Sequence, residues 1–479
     1  MENMLLIGGD FSGIQGYIYN IASKYASKNL KGRSEKLKEE CEKSAKTISD
    51  KVKGEVIVSS GGTFLILADD SSQNREVLDQ AIADIERSIY SKYGTDLYVA
   101  IDHVDLSAVG SYWEASTALF KKRDEKKNRK LAALIKDNYA DFFEPQQWHY
   151  DETDAITGAY FKSPEEKKRC DGIEGYVTQQ TLDQIIRGDD LAKESNRVRN
   201  FNKLIDSQSS LKRLGVLRMD VDNLGMAFQE EIKKCQHDLE QYKSLSQHFT
   251  EFFDEQNLYR ITDNGVFIVY SGGDDIFAVG QWDETIAFAE AVRTEFAKQE
   301  FVKSRKLSIS GGVAIIKAKY PIMKGADEGG ELEDLAKAHK VGAAEKDSLA
   351  FLGMALNWDK EYPVVKALKK DLVELEKHDM LDSSFRSKVL KHYANSEIKE
   401  ERHKIKNLKT YWMLTYDLGR MKQRYKNSPE VAEMINNCIV EVCENKKQLN
   451  GKSIETDYHA LELWAMACRW AELELRTNN

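Results

Sequence analysis

VFIVYSGGDDIFAVG, residues 266–280, places two glycines and two aspartates at a turn between two apolar runs. Glycine accepts the positive φ of a tight turn, so the stretch reads as a β-hairpin with Asp274 and Asp275 at its tip. Far upstream, EVIVSSGGTFLILA, residues 55–68, repeats the pattern, but Thr63 and Phe64 stand where the second copy has its aspartates. The elements around each hairpin recur in one order. MLLIGG (4–9) reads as a strand, with helical patterns following at Ile14–Lys28 and Ser34–Lys51. After the hairpin come a helix (Asn74–Tyr93) and a strand (Asp96–Ile101). From residue 214 the same series runs again: strand LGVLRM, helices near Leu224–Lys234 and Leu239–Gln256, the hairpin, helix Asp283–Glu300 and strand KLSISGGVAI. Asp10 and Asp220 are 210 positions apart, and Gly62 and Gly273 are 211 apart. Agreement within one residue over five elements marks an internal duplication.

Each copy is predicted to fold as helices on an antiparallel sheet, so the expected class is α+β with two ferredoxin-like, palm-type domains. The expected divisions are a first palm over 1–108, a small intervening domain over 109–208, a second palm over 209–358 and an α-helical bundle over 359–479. Phe142, Phe143, Trp148 and Tyr150 form an aromatic cluster in the intervening stretch. Helical spacing runs almost unbroken through the last region.

The bulk properties narrow the class further. A chain of 479 residues with 41% apolar and 31% charged residues has ample material for a buried core. The formal charge of -9 argues against a protein that coats nucleic acid through its overall field. The one strongly basic stretch, KKRDEKKNRK (121–130), reads first as a solvated helix face, with RNA contact as the lesser alternative. Six scattered cysteines without a CxxC pair signal neither a disulfide framework nor a zinc site, and a reducing cytoplasm is expected. No stretch has the length and apolarity of a membrane helix, and no leader is read at the start.

Acidic spacing supplies the chemistry. Asp220 and Asp222 lie two apart on a strand and share a side, while the hairpin brings Asp274 and Asp275 from a neighbouring strand. Such a cluster repels itself unless water or a hard divalent cation relieves it, and Mg2+ (or Mn2+) is expected on Asp220, Asp274 and Asp275, with Val221 added to the metal set. Two such ions activate a hydroxyl and stabilise a leaving pyrophosphate. Asp220, Asp274 and Asp275 are thus the catalytic candidates. Nucleotide contacts are expected from Gly272 and Gly273, whose missing β-carbons allow close approach, and from Asp222 and Asn223. A helix in LEDLAKAHKVGAAEKDSLAF is expected to offer Lys340 and Lys346 to phosphates. The first copy retains only Asp10, with Ser12 in place of Asp222. Ser12, Gly13, Gly61 and Gly62 are the candidates there for a second nucleotide pocket.

GDFSGIQGYIYNI (9–21), KGRSEKL (31–37), SSGGTFLILA (59–68), LGVLRMDVDNLG (214–225), YSGGDDIFAVG (270–280) and EKDSLAFLGMALNW (345–358) together resemble the large polymerase subunit of type III CRISPR effector complexes, Csm type. The resemblance spans nearly the whole chain. It implies two facing palms, and it implies that ATP is joined through 3′–5′ linkages into cyclic oligoadenylates when the complex holds target RNA. By motif match, Asp220, Asp274 and Asp275 carry the metals. The implied partners are guide RNA, target RNA, a subunit gripping the guide 5′ end and a small helical subunit, with no membrane. Two departures stand out. Relatives often begin with an HD nuclease domain, whereas this sequence opens on the first palm strand and its His237-Asp238 and His378-Asp379 pairs read as solvated; no HD nuclease activity is expected. Relatives commonly carry cysteine pairs in the intervening domain, whereas DAITG (154–158) stands there, and no zinc is expected. The competing readings are a related nucleotidyltransferase with another small-molecule acceptor, and a mainly structural scaffold subunit.

Overall fold

The computed structural model describes residues 4–476 apart from positions 20, 22–25, 138, 140–142, 144–148, 195–200, 206–207, 209, 236–238, 262–264 and 399–402. The chain is α+β. In the first sheet Met4–Ser12 runs between Thr63–Asp69 and Tyr98–Asp105, with Glu55–Ser60 at the edge. In the second sheet Leu214–Asp222 runs between Asp275–Gln281 and Ser308–Ile316, with Val266–Gly272 at the edge. The four strands are therefore ordered alike in both. The second sheet alone is extended, by Ser348–Phe351 parallel to Ser308–Ile316 and then Met354–Asn357.

The duplication reaches further than the sequence spacing indicates. Helices Tyr112–Asn128 and Ile322–Ala338 are 210 positions apart at both ends. Each lies on its own sheet and sends a lysine to the aspartate of the central strand: Lys127 to Asp10 and Lys337 to Asp220, both at 2.5 Å and both 117 positions along the chain. A boundary at 108 thus falls just before a helix that packs on the first sheet. Lys122, Lys126 and Lys127 of the basic stretch, expected to be solvated, turn back onto that sheet. Lys122 donates to the His103 carbonyl and Lys126 to the Ile101 carbonyl.

The stretch 109–208 also gives up a second helix to the first lobe. Gln179–Glu194 crosses Ala26–Val52 where glycines let the backbones meet: a β-carbon on Gly32 would lie 2.0 Å from the Gln184 carbonyl oxygen, and one on Gly188 would lie 1.9 Å from that of Lys28. Arg33 donates to Gln184 at 3.1 Å, and the Gln184 amide donates to the Tyr17 hydroxyl at 2.7 Å. The first helical pattern is interrupted: helices span Ile14–Tyr19 and Ala26–Val52 rather than Ile14–Lys28 and Ser34–Lys51. Asp154 of DAITG is buried and accepts the backbone N–H groups of Ile156, Thr157 and Thr178. Of the aromatic cluster, Phe142 and Trp148 lie outside the described residues, and Phe143 is exposed.

Strand alternation divides the second sheet between two cores. Leu217, Met219, Val221, Ile276 and Ala278 face a core built with helix Trp282–Lys298 and the C-terminal helices. Leu214, Val216, Phe277 and Val279 face the other way, into a core shared with Leu5, Ile7, Tyr19 and Phe64 of the first lobe. The lobes are therefore packed on one another. Among the described residues, five helices, Tyr362–Lys377, Ser384–Asn395, Lys409–Arg424, Pro429–Glu444 and Ala460–Leu475, follow the second sheet. The last is buried almost all round and sets Trp470 edge-on to Phe351 of the sheet, ring centroids 4.9 Å apart. His378 caps the first of these five, while His237 and Asp238 lie outside the described residues. Among the described residues, no helix is long and apolar enough to cross a membrane.

A carboxylate trio facing the first lobe

Because strand residues alternate, Arg218 and Asp220 point the same way as Val216, toward the first lobe; Asp275 points there with Phe277. Arg218 pairs with Phe277 and Met219 with Ile276 across the antiparallel strands, so one step further along the ladder Asp220 meets Asp275. Asp274 joins them from the turn, where Gly273 takes φ +68°. Oxygens of Asp220, Asp274 and Asp275 lie within 4.8 Å of one another.

This trio is electrostatically strained. Burial and then the Asp220 charge push the Asp274 carboxyl up to about 8. Asp275 is raised well above the usual range by burial and by the charges of Asp274 and Asp220. Both shifts report carboxylates short of positive charge. Lys337 supplies some: burial opposes its charge, but Asp220 and Glu333 prevail and its pKa is raised. Glu333 also holds Arg218 at 3.2 Å, so that guanidinium does not neutralise the trio alone. An all-oxygen donor set with unrelieved negative charge fits a hard divalent cation. Asp220, Asp274 and Asp275 would hold it.

The other expected site residues are distributed differently. Val221 turns its side chain into the opposite core. Asp222 is buried away from the trio because it sits opposite Ser308 in register; its Oδ2 accepts from Ser308 and Ser310 hydroxyls, at 2.7 and 2.9 Å, and from the Asp347 N–H. Asn223 takes left-handed backbone at φ +59° and accepts from Lys346 at 2.5 Å. The helix expected to carry Lys340 and Lys346 ends at Ala338. Both lysines follow it, and Lys340 is an exposed hairpin residue paired with Glu345. The helix lysine that does reach an acid of the trio is Lys337, which sequence reasoning missed along with Arg218 and Glu333. The i, i+4 spacing of Glu333 and Lys337, and the matching Asp10–Lys127 separation, were the available signals.

In the first lobe, Ser12 donates to the Tyr98 carbonyl at 3.3 Å, and Gly13 takes φ +88°. Thr63 stands opposite Asp10 in register and brings no acid, while Phe64, opposite Gly9, packs on the other face of the strand, where a β-carbon on Gly9 would lie 2.1 Å from its ring. Gly61 and Gly62, at φ +60° and +82°, bring that turn against the second one, where a β-carbon on Gly61 would lie 3.2 Å from the Gly273 α-carbon. Beside this contact is a cavity of about 220 Å3 lined from both lobes, with Ser60, Gly61, Gly62 and Leu37 on one side and Tyr270, Ser271, Gly272 and Gly273 on the other.

Residues 213–350 match the family model of the Cas10/Cmr2 second palm domain, and residues 3–147 match Csm1 subunit domain B. The chain is 25% identical over 397 residues to a protein of Enterococcus italicus named CRISPR system single-strand-specific deoxyribonuclease Cas10/Csm1 (subtype III-A), covering 70% of this chain and 52% of that one. A protein of the same name from Streptococcus thermophilus is 25% identical over 415 residues, 73% of this chain and 53% of its own. The chain spans about half the length of the curated relatives it matches. Among solved structures, a Csm1-Csm4 cassette in complex with cA3 superposes with TM-score 0.65 at 18% identity, over 97% of this chain and 70% of that one. Csm1 of T. onnurineus gives TM-score 0.65 at 20% identity, over 97% and 69%.

Proposed function

The chain is a Cas10/Csm1 homologue over most of its length, and we propose that it serves a type III CRISPR effector complex by making cyclic oligoadenylates from ATP when target RNA is bound. In this reading two palms face each other, one armed and one disarmed, beside an intervening region and a C-terminal helical bundle. The observation that carries it is the convergence of Asp220, Asp274 and Asp275 on the face turned to the other lobe. Support for the substrate comes from relatives of the same fold whose cassettes were crystallised with ATP and with cA3. The partners follow from the same homology: a Csm4-like subunit at the guide 5′ end, a small helical subunit, guide RNA and target RNA.

The 3′-oxygen of one nucleotide attacks the α-phosphorus of the next; a new P–O bond forms, the bond to the β-phosphate breaks, and pyrophosphate leaves. Divalent cations, Mg2+ or Mn2+, would acidify the attacking hydroxyl and neutralise the leaving group when bound. The protein's share is placement. Asp275 takes up the hydroxyl proton at a carboxylate oxygen, and Lys337 offers its ammonium beside Asp220 to a phosphate oxygen. The inter-lobe cavity of about 220 Å3 is smaller than a whole-ligand pocket and suits a planar base, with Ser60 and Ser271 hydroxyls along its wall. Ring closure needs both ends of a short chain near one site, which a two-lobed cleft provides.

The test is to incubate the assembled complex with labelled ATP, Mg2+ and target RNA and resolve the products by mass. Cyclic oligoadenylate that depends on target RNA supports the reading; linear or non-adenylate products, or none, overturn it. The placement of the lysines gives a sharper expectation. Lys337→Met should lower the rate by about 10- to 100-fold, on the scale of losing one oriented cation at a reacting centre. Lys340→Ala should stay within about twofold, as befits an exposed hairpin lysine.

A further inference from the structure

Tyr19 belongs to the first lobe, yet its ring is buried against the second. It lies on Phe277 with centroids 4.5 Å apart and planes inclined 44°. The Arg218 guanidinium carbon sits 5.9 Å from its centroid. Arg218 and Phe277 are direct cross-strand partners, two residues along each strand from Asp220 and Asp275 and so the neighbouring rung on the same face of the sheet. Tyr19 therefore covers the layer on which the acidic trio stands. It also covers the guanidinium that Glu333 holds back from the trio.

We propose that Tyr19 is a positioning residue supplied by the first lobe, whose ring fixes the Arg218–Phe277 rung and so keeps Asp220 and Asp275 open to a cation. The inference rests on the trio being a cation site, as in the function proposed above. Two effects follow from losing the ring. Phe277 and its strand settle into the vacated space, which shifts Asp275, two residues away. Arg218, uncovered on one side, turns toward Asp220 and competes with the cation for its oxygens. Docking of the lobes is thereby linked to the readiness of the site, since only a lobe in place puts Tyr19 on the rung.

The test compares Tyr19→Phe, Tyr19→Leu and Tyr19→Ala in the full chain by Mn2+ titration without nucleotide, and in the assembled complex by turnover of ATP. Tyr19→Phe keeps the ring and should stay within about twofold of wild type in both. Tyr19→Leu and Tyr19→Ala should weaken Mn2+ binding by about 10- to 100-fold, the range seen when support around a metal site is removed. Their kcat should fall while KM for ATP changes by less than about threefold, because the cavity proposed for the base is lined by neither Tyr19, Arg218 nor Phe277. If Tyr19→Ala does not fold, Tyr19→Leu decides, and Phe277→Leu, which removes the other ring of the pair, should repeat its result. Wild-type Mn2+ affinity in Tyr19→Leu overturns the proposal, as does a Tyr19→Phe variant as impaired as Tyr19→Leu. Should wild type bind Mn2+ at the trio but yield no cyclic product, the proposed function fails while the role of Tyr19 still stands or falls on the titration.

Discussion

A chain carrying Asp274→Ala and Asp275→Ala together is expected to form no measurable cyclic product, a fall of at least about 1,000-fold, because both the cation and the proton acceptor are lost. Assembly with partner subunits should survive, since neither residue contributes to a core; size-exclusion of the assembled complex checks this. The same variant should be more stable than wild type in the absence of metal. Asp274 rises to about 8 in the fold against 3.8 when free, through burial and then the Asp220 charge. Below about pH 4 its carboxyl is protonated in both states and carries no penalty. As pH climbs from there toward 8 the unfolded chain releases the proton that the fold retains, and stability falls; Asp275 adds in the same direction. Thermal unfolding in chelator at pH 5 and pH 8 should show wild type losing ground to the double variant by a few kcal/mol, and saturating Mn2+ should reverse the order. Equal pH dependence in the two proteins would mean that the three carboxylates do not strain one another.

The duplication was readable because its signals are local. Glycine pairs mark the two turns, and apolar alternation on either side fixes which residues share a face. Asp220 and Asp275 were legible as neighbours for that reason. What lay beyond reach depends on contacts between distant segments. Nothing local says that Asp222 will be captured by Ser308 and Ser310, since that follows from register with a strand some 86 residues away. The lysine assignment slipped for a different reason. The pattern LEDLAKAHKV continues a helical rhythm, but Gly342 at φ +60° closes a tight hairpin that strips Lys340 from the helix and leaves Lys337 as its last charged residue. Residues 121–130 read as a helix face, but their basic composition suggested solvent; the helix is Tyr112–Asn128 and packs on the first sheet. Only the matching Asp10–Lys127 and Asp220–Lys337 pairs reveal that it completes the first copy. The helix Gln179–Glu194 shows no sequence mark of its partner at all, because Gly32 and Gly188 matter only once the two backbones cross.

The contact between the two glycine turns supports the second large expectation. A β-carbon on Gly61 would sit 3.2 Å from the Gly273 α-carbon, and one on Gly273 would sit 3.3 Å from that of Gly61. Gly61→Val therefore forces the tips apart, on top of the local strain of a branched side chain at positive φ, which costs about 1–3 kcal/mol. Gly94 provides the control: it has φ +59° in the same lobe, but a β-carbon there would meet nothing within 4 Å. Gly61→Val should lower cyclic product formation by about 100-fold or more, in line with the sensitivity of two-substrate chemistry to displacements near 1 Å. Its Mn2+ binding should fall by less than its rate, because the three carboxylates belong to one lobe and a wedge at the turn tips leaves the Tyr19–Phe277 contact in place. Gly94→Val should cost comparable stability and leave the rate near wild type. Separation of the two variants in rate, at similar melting temperature, would show that the lobes act through this backbone contact. A Gly61→Val enzyme as active as Gly94→Val would mean that the cleft tolerates a wedge at its centre, and that the nucleotides are held without the two turns in register.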